Sequence, residues 1–286
     1  MGLRRSHLLG SLVALVLGLT GAAQATELSK DEYREQRRFA ANNSMFVLYH
    51  EMAHLLFDQL QLPVLGREED AADNVATWTL LNKGTERADQ AVRDAARGWF
   101  LSGIAYDSGG VESDYAAAHA LDKQRAYQIV CLMVGKDEPS FRPVAEMYDV
   151  PDYRVESCAW DYDVINRSLR RVLDRGQEFT GQQTRVRVTY KPAGGALREA
   201  ADAFKSSGVF DQVADELRQR FRLPRQVRFN AERCGEPNAF YDPDTVEIIF
   251  CYELMQDYMD LYAAELPKTG ATGGKSGTGK HKPPRN

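Results

Sequence analysis

The sequence predicts an α+β fold, on three observations. Apolar residues recur at helical spacing through most of the first half of the chain. Near residue 183 the character changes to the β-branched alternation of TRVRVTY. Further on, Asp242-Pro243-Asp244 is a turn signal between two extended runs, PNAFY and TVEIIFCYE. The expected order is a helical first part, 26–182, and then a smaller α+β part, 183–267, whose sheet is antiparallel or mixed. No internal repeat is visible.

Two end segments are set apart by composition. MGLRRSHLLGSLVALVLGLTGAAQA, residues 1–25, has Arg4 and Arg5, an apolar run and the small-residue site Ala23-Gln24-Ala25. That is the pattern of a secretory signal peptide. Its apolar run is too short for a membrane span, and no second long apolar run follows. The chain is therefore expected to be exported, to the periplasm or beyond, with no membrane span after signal cleavage. Residues 268–286, KTGATGGKSGTGKHKPPRN, offer almost nothing to bury and read as a disordered tail. The whole chain carries −5; the signal contributes +2 and the tail +5, which leaves −12 on the body. An acidic body excludes nucleic acid as a partner, because phosphate binding needs clustered Lys and Arg. Nothing in the sequence speaks to oligomeric state.

The elements follow in order. Asn42, Asn43 and Ser44 have the side chains of a helix cap, and the helix they open runs to about Leu60. Pro63 and Gly66 mark a turn. A second helix starts near Arg67 and reaches about Leu81. RADQAVRDAARGWFLSGI and DYAAAHALDKQRAYQIVCLMVG are helical, and a short helix covers SCAWDYDVINRSLRRVLDRG. After the strand TRVRVTY comes the helical ALREAADAFKSSGVFDQVADELRQRF, broken at Gly208. QVRFNAERC is a second strand. A hairpin and a last helix, ELMQDYMDLYAAEL, complete the body.

Cys131, Cys158, Cys234 and Cys251 all lie in the body. An even count in an exported chain predicts disulfides. The pairs close in sequence are Cys131 with Cys158 and Cys234 with Cys251. A site holding zinc with all four cysteines is the alternative, but no C-x-x-C pair exists.

The chemistry concentrates in FVLYHEMAHLLFDQLQLPVLGREEDAAD, residues 46–73. In a helix, His50 and His54 lie on one face, so both imidazoles can reach one ion. Glu51 is rotated by about 100° from His50 and sits beside that ion. This is the H-E-x-x-H arrangement: two zinc ligands and a carboxylate that takes a proton from water. Of five histidines, His7 and His281 fall in the end segments, so two of the three in the body form this motif. A catalytic zinc wants a third protein ligand and an open position. Leu55, Leu56 and Phe57 follow His54, which leaves no place for a third histidine in this stretch. The third ligand is then an acid from GREEDAAD. Glu69 and Asp73 are four apart on the second helix; Glu69 is assigned as ligand, and Asp73 as the carboxylate that accepts the spare N–H of a ligand histidine. Glu68 is the alternative ligand. The bland reading is two interior histidines and a solvated acidic helix start.

His50-Glu51-x-x-His54 with Glu69-x-x-x-Asp73 resembles the gluzincin metallopeptidases. More narrowly, that stretch, HALDKQRAYQIVCLMVG and CGEPNAFYDPDTVEIIFCYEL are similar to a family of bacterial zinc metallopeptidases catalogued as a domain of unknown function; the matches spread over most of residues 40–262. The resemblance implies a zincin-like helical catalytic core. It also implies that Asn238, Ala239 and Phe240, in NAFY, form an edge strand whose backbone pairs with a peptide substrate. In thermolysin-like enzymes that strand precedes the H-E-x-x-H helix; here it follows, so the order is permuted. The family gives stabilisation of the oxyanion to a His, Tyr or Arg. His119, which helical spacing would place near Asp122 and Lys123, and Tyr241 are the candidates.

The expected function is an exported zinc-dependent metallopeptidase with Zn2+ as cofactor, Glu51 as general base and a peptide or protein as substrate. Cell-wall peptides are one substrate class consistent with it. A different class is an exported peptide-binding or scaffold protein that keeps zinc without turnover.

Overall fold

A computed structural model describes residues 28–177 and 183–266. The predicted signal segment and C-terminal tail lie outside the described residues.

The longest helix is also the most enclosed. Helix α1, Lys30–Gln59, opens with Ser29 as cap. The Ser29 hydroxyl accepts from the Glu32 N–H, and the Glu32 carboxylate accepts from the Ser29 N–H. That reciprocal capping box satisfies donors the helix start cannot. From Phe39 to Phe57 nearly every residue of α1 is buried. The expected cap at Asn42–Ser44 is therefore a correction: these residues lie inside the helix. One distant partner and two bonds back to the preceding helical turn account for it. Asn42 donates to Asp94 at 2.6 Å, and the Asn43 and Ser44 side chains donate to the carbonyls of Phe39 and Ala40.

The remaining helices of the first half wrap this axis. They are α2, Glu68–Leu81; α3, Glu86–Ala105; α4, Glu112–Tyr115; α5, Asp122–Lys136; α6, Glu138–Met147; and α7, Asp152–Gln177. Helices α2 and α3 pack on α1, and α5 packs on α3 and α7. The Cys131–Cys158 disulfide joins α5 to α7, with Cα atoms 5.1 Å apart. Three expectations change. Helix α7 is long rather than short. Helix α6 was not foreseen; its cap, Asp137, and the proline in its first turn are sequence signals for it. The helix expected across residues 114–135 is broken at 116–121, because a second start is built at Asp122: the Ser108 hydroxyl accepts from the Asp122 N–H, and the Gln124 side chain accepts from the Leu121 N–H.

The second half supplies α8, Arg198–Ser207, α9, Val209–Arg220, and α10, Tyr252–Glu265. Gly208, at φ 70°, takes the left-handed position between α8 and α9. The strands are β1, Val186–Tyr190; β2, Val227–Glu232; β3, Ala239–Asp242; and β4, Glu247–Cys251. Their order is β1-β2-β4-β3. β1, β2 and β4 are parallel, while β3 turns back antiparallel on β4 as the edge strand. The sheet is thus small and mixed. Val227, Phe229 and Ala231 alternate into the core, and Phe204 of α8 stacks on Phe250 of β4 at 3.9 Å. The Cys234–Cys251 disulfide ties the segment before β3 to the end of β4. Edge strand β3 lies beside α1. The Tyr241 hydroxyl fastens it there by donating to Asp58 at 2.6 Å.

Helix α3 meets α1 at Gly98 with no room for a side chain. A Cβ there would stand 1.9 Å from the Asn43 side-chain oxygen. Replacement by alanine raises helix propensity by about 1 kcal/mol, but overpacking costs about 1–3 kcal/mol. Gly98→Ala is expected to lower the midpoint of urea unfolding; an unchanged or higher midpoint would show that the two helices can part without cost.

Candidate metal centre

Helix geometry alone places His50 and His54 on one face of α1, and the turn at 60–67 brings the start of α2 against them. The two Nε2 atoms are 3.0 Å apart. One oxygen of Glu69, Oε2, lies 3.1 Å from the first and 3.4 Å from the second. Three atoms thus converge, and His50, His54 and Glu69 form a group able to hold a metal ion. A tetrahedral ion with bonds of ~2.0–2.2 Å has ligand edges of about 3.3–3.6 Å, close to the triangle observed. Two nitrogens and one oxygen on the apices are a donor set such an ion accepts.

The other ring nitrogens are taken by carboxylates. His50 Nδ1 donates to Asp73 at 2.8 Å, and His54 Nδ1 donates to Glu68 at 2.8 Å. Each carboxylate fixes a tautomer that leaves Nε2 free for the ion. Glu68, the alternative ligand in the sequence reading, is thereby on the far side of the His54 ring from the converging atoms. Asp73 is buried and is itself gripped by Arg125, which donates from Nε and from a terminal nitrogen at 2.7 and 2.8 Å. The Arg125 guanidinium lies over the Trp99 ring, 3.4 Å from its centroid.

Sequence reasoning missed Arg125, although a signal existed. It stands four residues before Ile129 and seven before Leu132, on the apolar face of α5. A cation in that position needs a buried acid as partner. His119 is on the loop between α4 and α5, not on a helix as expected. There it reaches the site: its Nε2 is 2.8 Å from Glu69 Oε2, and its ring stacks on His50 with centroids 6.2 Å apart.

These contacts set the electrostatics. Burial disfavours a charged His50, but the Asp73 and Glu69 carboxylates outweigh it and raise its pKa to about 9. Hydrogen bonds from His119, His50 and His54 hold the Glu69 carboxyl far below the ordinary range. Burial pushes the Glu51 carboxyl up; His50 and His54 pull against that, as does the Tyr241 main-chain N–H, while Glu69 adds to it. Glu51 is buried beside the converging atoms.

A groove crosses the centre below β3. One hollow of about 630 Å³ runs toward the C-terminal end of α1, past His54, Phe57, Leu62 and Phe240. A second, of about 460 Å³, runs the other way toward α3 and α10. Both are bordered by His50, Glu51, His119, Asn238 and Ala239. The Cys251 N–H donates to the Asn238 carbonyl. Alternation in an antiparallel ladder then turns the main-chain groups of Ala239 and Tyr241 outward, away from β4. Tyr241's hydroxyl, bonded to Asp58, also accepts from Gln59 at 3.2 Å.

The fold and site define a helix-rich α+β protein with a His-His-Glu metal group beside a sheet edge. A family model described as "putative metallopeptidase" matches residues 16–173 and 190–275, and the chain belongs to that family. No curated protein and no solved structure matches it.

The neighbouring carboxylates raise the His50 pKa to about 9, so protons compete with a metal ion for its ring. Zn2+ titrated into metal-free protein is expected to bind more tightly, with measurable proton release, as pH rises from about 6 to 8. Glu68→Gln should weaken binding by about tenfold. Affinity independent of both would remove His50 and His54 from the metal.

Proposed function

We propose that the chain is an exported zinc-dependent metallopeptidase with a zincin-like core, in which the edge strand follows the catalytic helix instead of preceding it. The observation that carries this reading is the convergence of His50 Nε2, His54 Nε2 and Glu69 Oε2 beside the Glu51 carboxylate. Two imidazoles and one carboxylate match the ligand set of catalytic zinc. Two disulfides, at Cys131–Cys158 and Cys234–Cys251, suit an oxidising compartment. Among the described residues no helix is long and apolar enough to cross a membrane.

Zinc held by His50, His54 and Glu69 would polarise the scissile carbonyl and acidify a water molecule. Glu51, whose carboxyl burial pushes up against the pull of His50 and His54, takes that water's proton and passes it to the leaving amine. Asp73 and Glu68 orient the two ligand rings. A peptide lies along β3 and bonds to the outward carbonyls of Ala239 and Tyr241, whose N–H groups are already taken by the Asn238 side-chain oxygen and by Glu51, while the main chains of Asn238 and Phe240 face β4. His119 is the first candidate to donate to the developing oxyanion: it lines both hollows and is half exposed. Tyr241, whose hydroxyl is engaged with Asp58, is the second.

Glu51→Gln is expected to keep its metal and lose about 10²–10⁴-fold in peptide hydrolysis. His50→Ala should lose both. Metal content by mass spectrometry with a peptide-cleavage assay reads the two effects, and full activity in Glu51→Gln would sink the mechanism.

A further inference from the structure

The two hollows beside the metal centre differ in chemistry. The one toward α3 and α10 has apolar walls from Val47, Trp99 and Leu254. Besides the groups it shares with the other hollow, its polar lining includes the carboxylates of Asp122 and Asp257, the hydroxyl of Tyr258 and the Arg125 guanidinium. Tyr258 is only 6% exposed, and its hydroxyl, which makes no hydrogen bond to a described residue, borders the hollow.

Neither acid is neutralised. Asp122 accepts from the Ser102 hydroxyl at 2.7 Å, and Asp257 accepts from the Tyr106 hydroxyl. Among the described residues no lysine, arginine or histidine makes an ion pair with either. Arg125 borders the same space, but Asp73 holds its guanidinium in a two-point bond. Asp122 and Asp257 are thus two carboxylates on this hollow with no ion-pair partner among the described residues. Burial also pushes the Asp257 carboxyl up, with Asp260 adding to the shift, so a bound cation would favour its ionised form.

From this arrangement we infer that the hollow between α1, α3 and α10 is the specificity subsite of the proposed peptidase and takes the side chain of a lysine or arginine next to the scissile bond. The inference rests on the peptidase reading. The apolar walls cover the methylene stem, and Asp122, Asp257 and the Tyr258 oxygen receive the charged head. The opposite hollow, with Phe57, Leu62 and Phe240, takes an apolar neighbour. Asp122, Asp257 and Tyr258 lie outside the metal-binding set, so they set which peptides are cut without touching the reacting atoms.

The test uses the full, zinc-loaded protein on a mixed peptide library, with cleavage sites read by mass spectrometry. Cut sites should be enriched in Lys or Arg adjoining the broken bond. In Asp122→Asn/Asp257→Asn that enrichment should vanish. kcat/KM for a lysine peptide should fall about tenfold or more, while that of its norleucine analogue, which keeps the four-carbon stem and lacks the ammonium group, holds. Asp257→Asn alone carries the same test with a smaller effect should the double variant misfold by circular dichroism. Cleavage without basic preference, or preference retained in the variants, overturns the subsite and leaves the peptidase standing. No cleavage together with no binding of a peptidyl hydroxamate overturns both.

Discussion

One buried carboxylate holds the candidate centre together. Asp73 projects from α2, receives the Nδ1–H of His50 from α1, and is gripped by Arg125 from α5, whose guanidinium in turn rests on Trp99 of α3. Taking a carboxylate and a guanidinium out of water is expensive, and removing one partner of such a pair commonly costs about 3–5 kcal/mol. The four helices therefore cannot slide independently: any shift strands a charge. Burial opposes ionisation of Asp73, yet Arg125 and His50 together hold its carboxyl well below the ordinary range. What the arrangement yields is a fixed imidazole. With Nδ1 committed, His50 has one orientation and one free nitrogen, and that nitrogen faces Glu69 and His54.

A second constraint comes from the sheet. A free strand edge invites pairing with another chain, and proteins commonly hide or blunt it. Here the edge strand β3 is laid along α1 and pinned by Tyr241 to Asp58, with Cys234–Cys251 closing the segment behind it. Of its outward main-chain groups, the Tyr241 N–H bonds Glu51 and the Ala239 N–H bonds the Asn238 side chain, so the strand is tied to the metal centre as well as to the sheet. The helical half contributes the ligands and the sheet contributes the edge, so neither half holds a complete site. That division also explains why α1 is so thoroughly enclosed: it is packed by helices along much of its surface and by β3 beside its metal-facing half.

What the sequence made legible was local. His50, Glu51 and His54 lie within one helical turn and a little more, so their shared face follows from helix geometry with no tertiary knowledge. Glu69 and Asp73 were separable for the same reason, being four apart on a second helix. The hairpin at Asp242-Pro243-Asp244 and the break at Gly208 were equally local, each set by its own turn chemistry. The failures were long-range. Asn42, Asn43 and Ser44 have capping side chains, and only Asp94, 52 residues on, explains why Asn42 is tolerated mid-helix. The alanine-rich run before His119 has helical propensity, but Ser108 caps a new start at Asp122 and releases His119 into a loop. Arg125 could be placed only by knowing that its acid is Asp73, another 52-residue separation.

The two candidate ligand histidines are not equivalent, and the difference bears on how the centre works. His50 is fully enclosed and its carboxylate is buried and clamped; His54 sits nearer the groove, and its partner Glu68 is half exposed, with no lysine or arginine among the described residues to hold it. A ring oriented by a buried ion pair keeps its place whatever occupies the groove. A ring oriented by a solvated glutamate can tilt at little cost, since exposed contacts of this kind contribute only about 0–1 kcal/mol. Glu69 is also shared, because His119 approaches the same oxygen that faces both ligand rings. A metal ion arriving at the three converging atoms would compete with His119 for that oxygen. A rigid side built on His50, Asp73 and Arg125, and an adjustable side built on His54, Glu68 and His119, would let one centre hold its metal firmly while the groove adapts to its occupant.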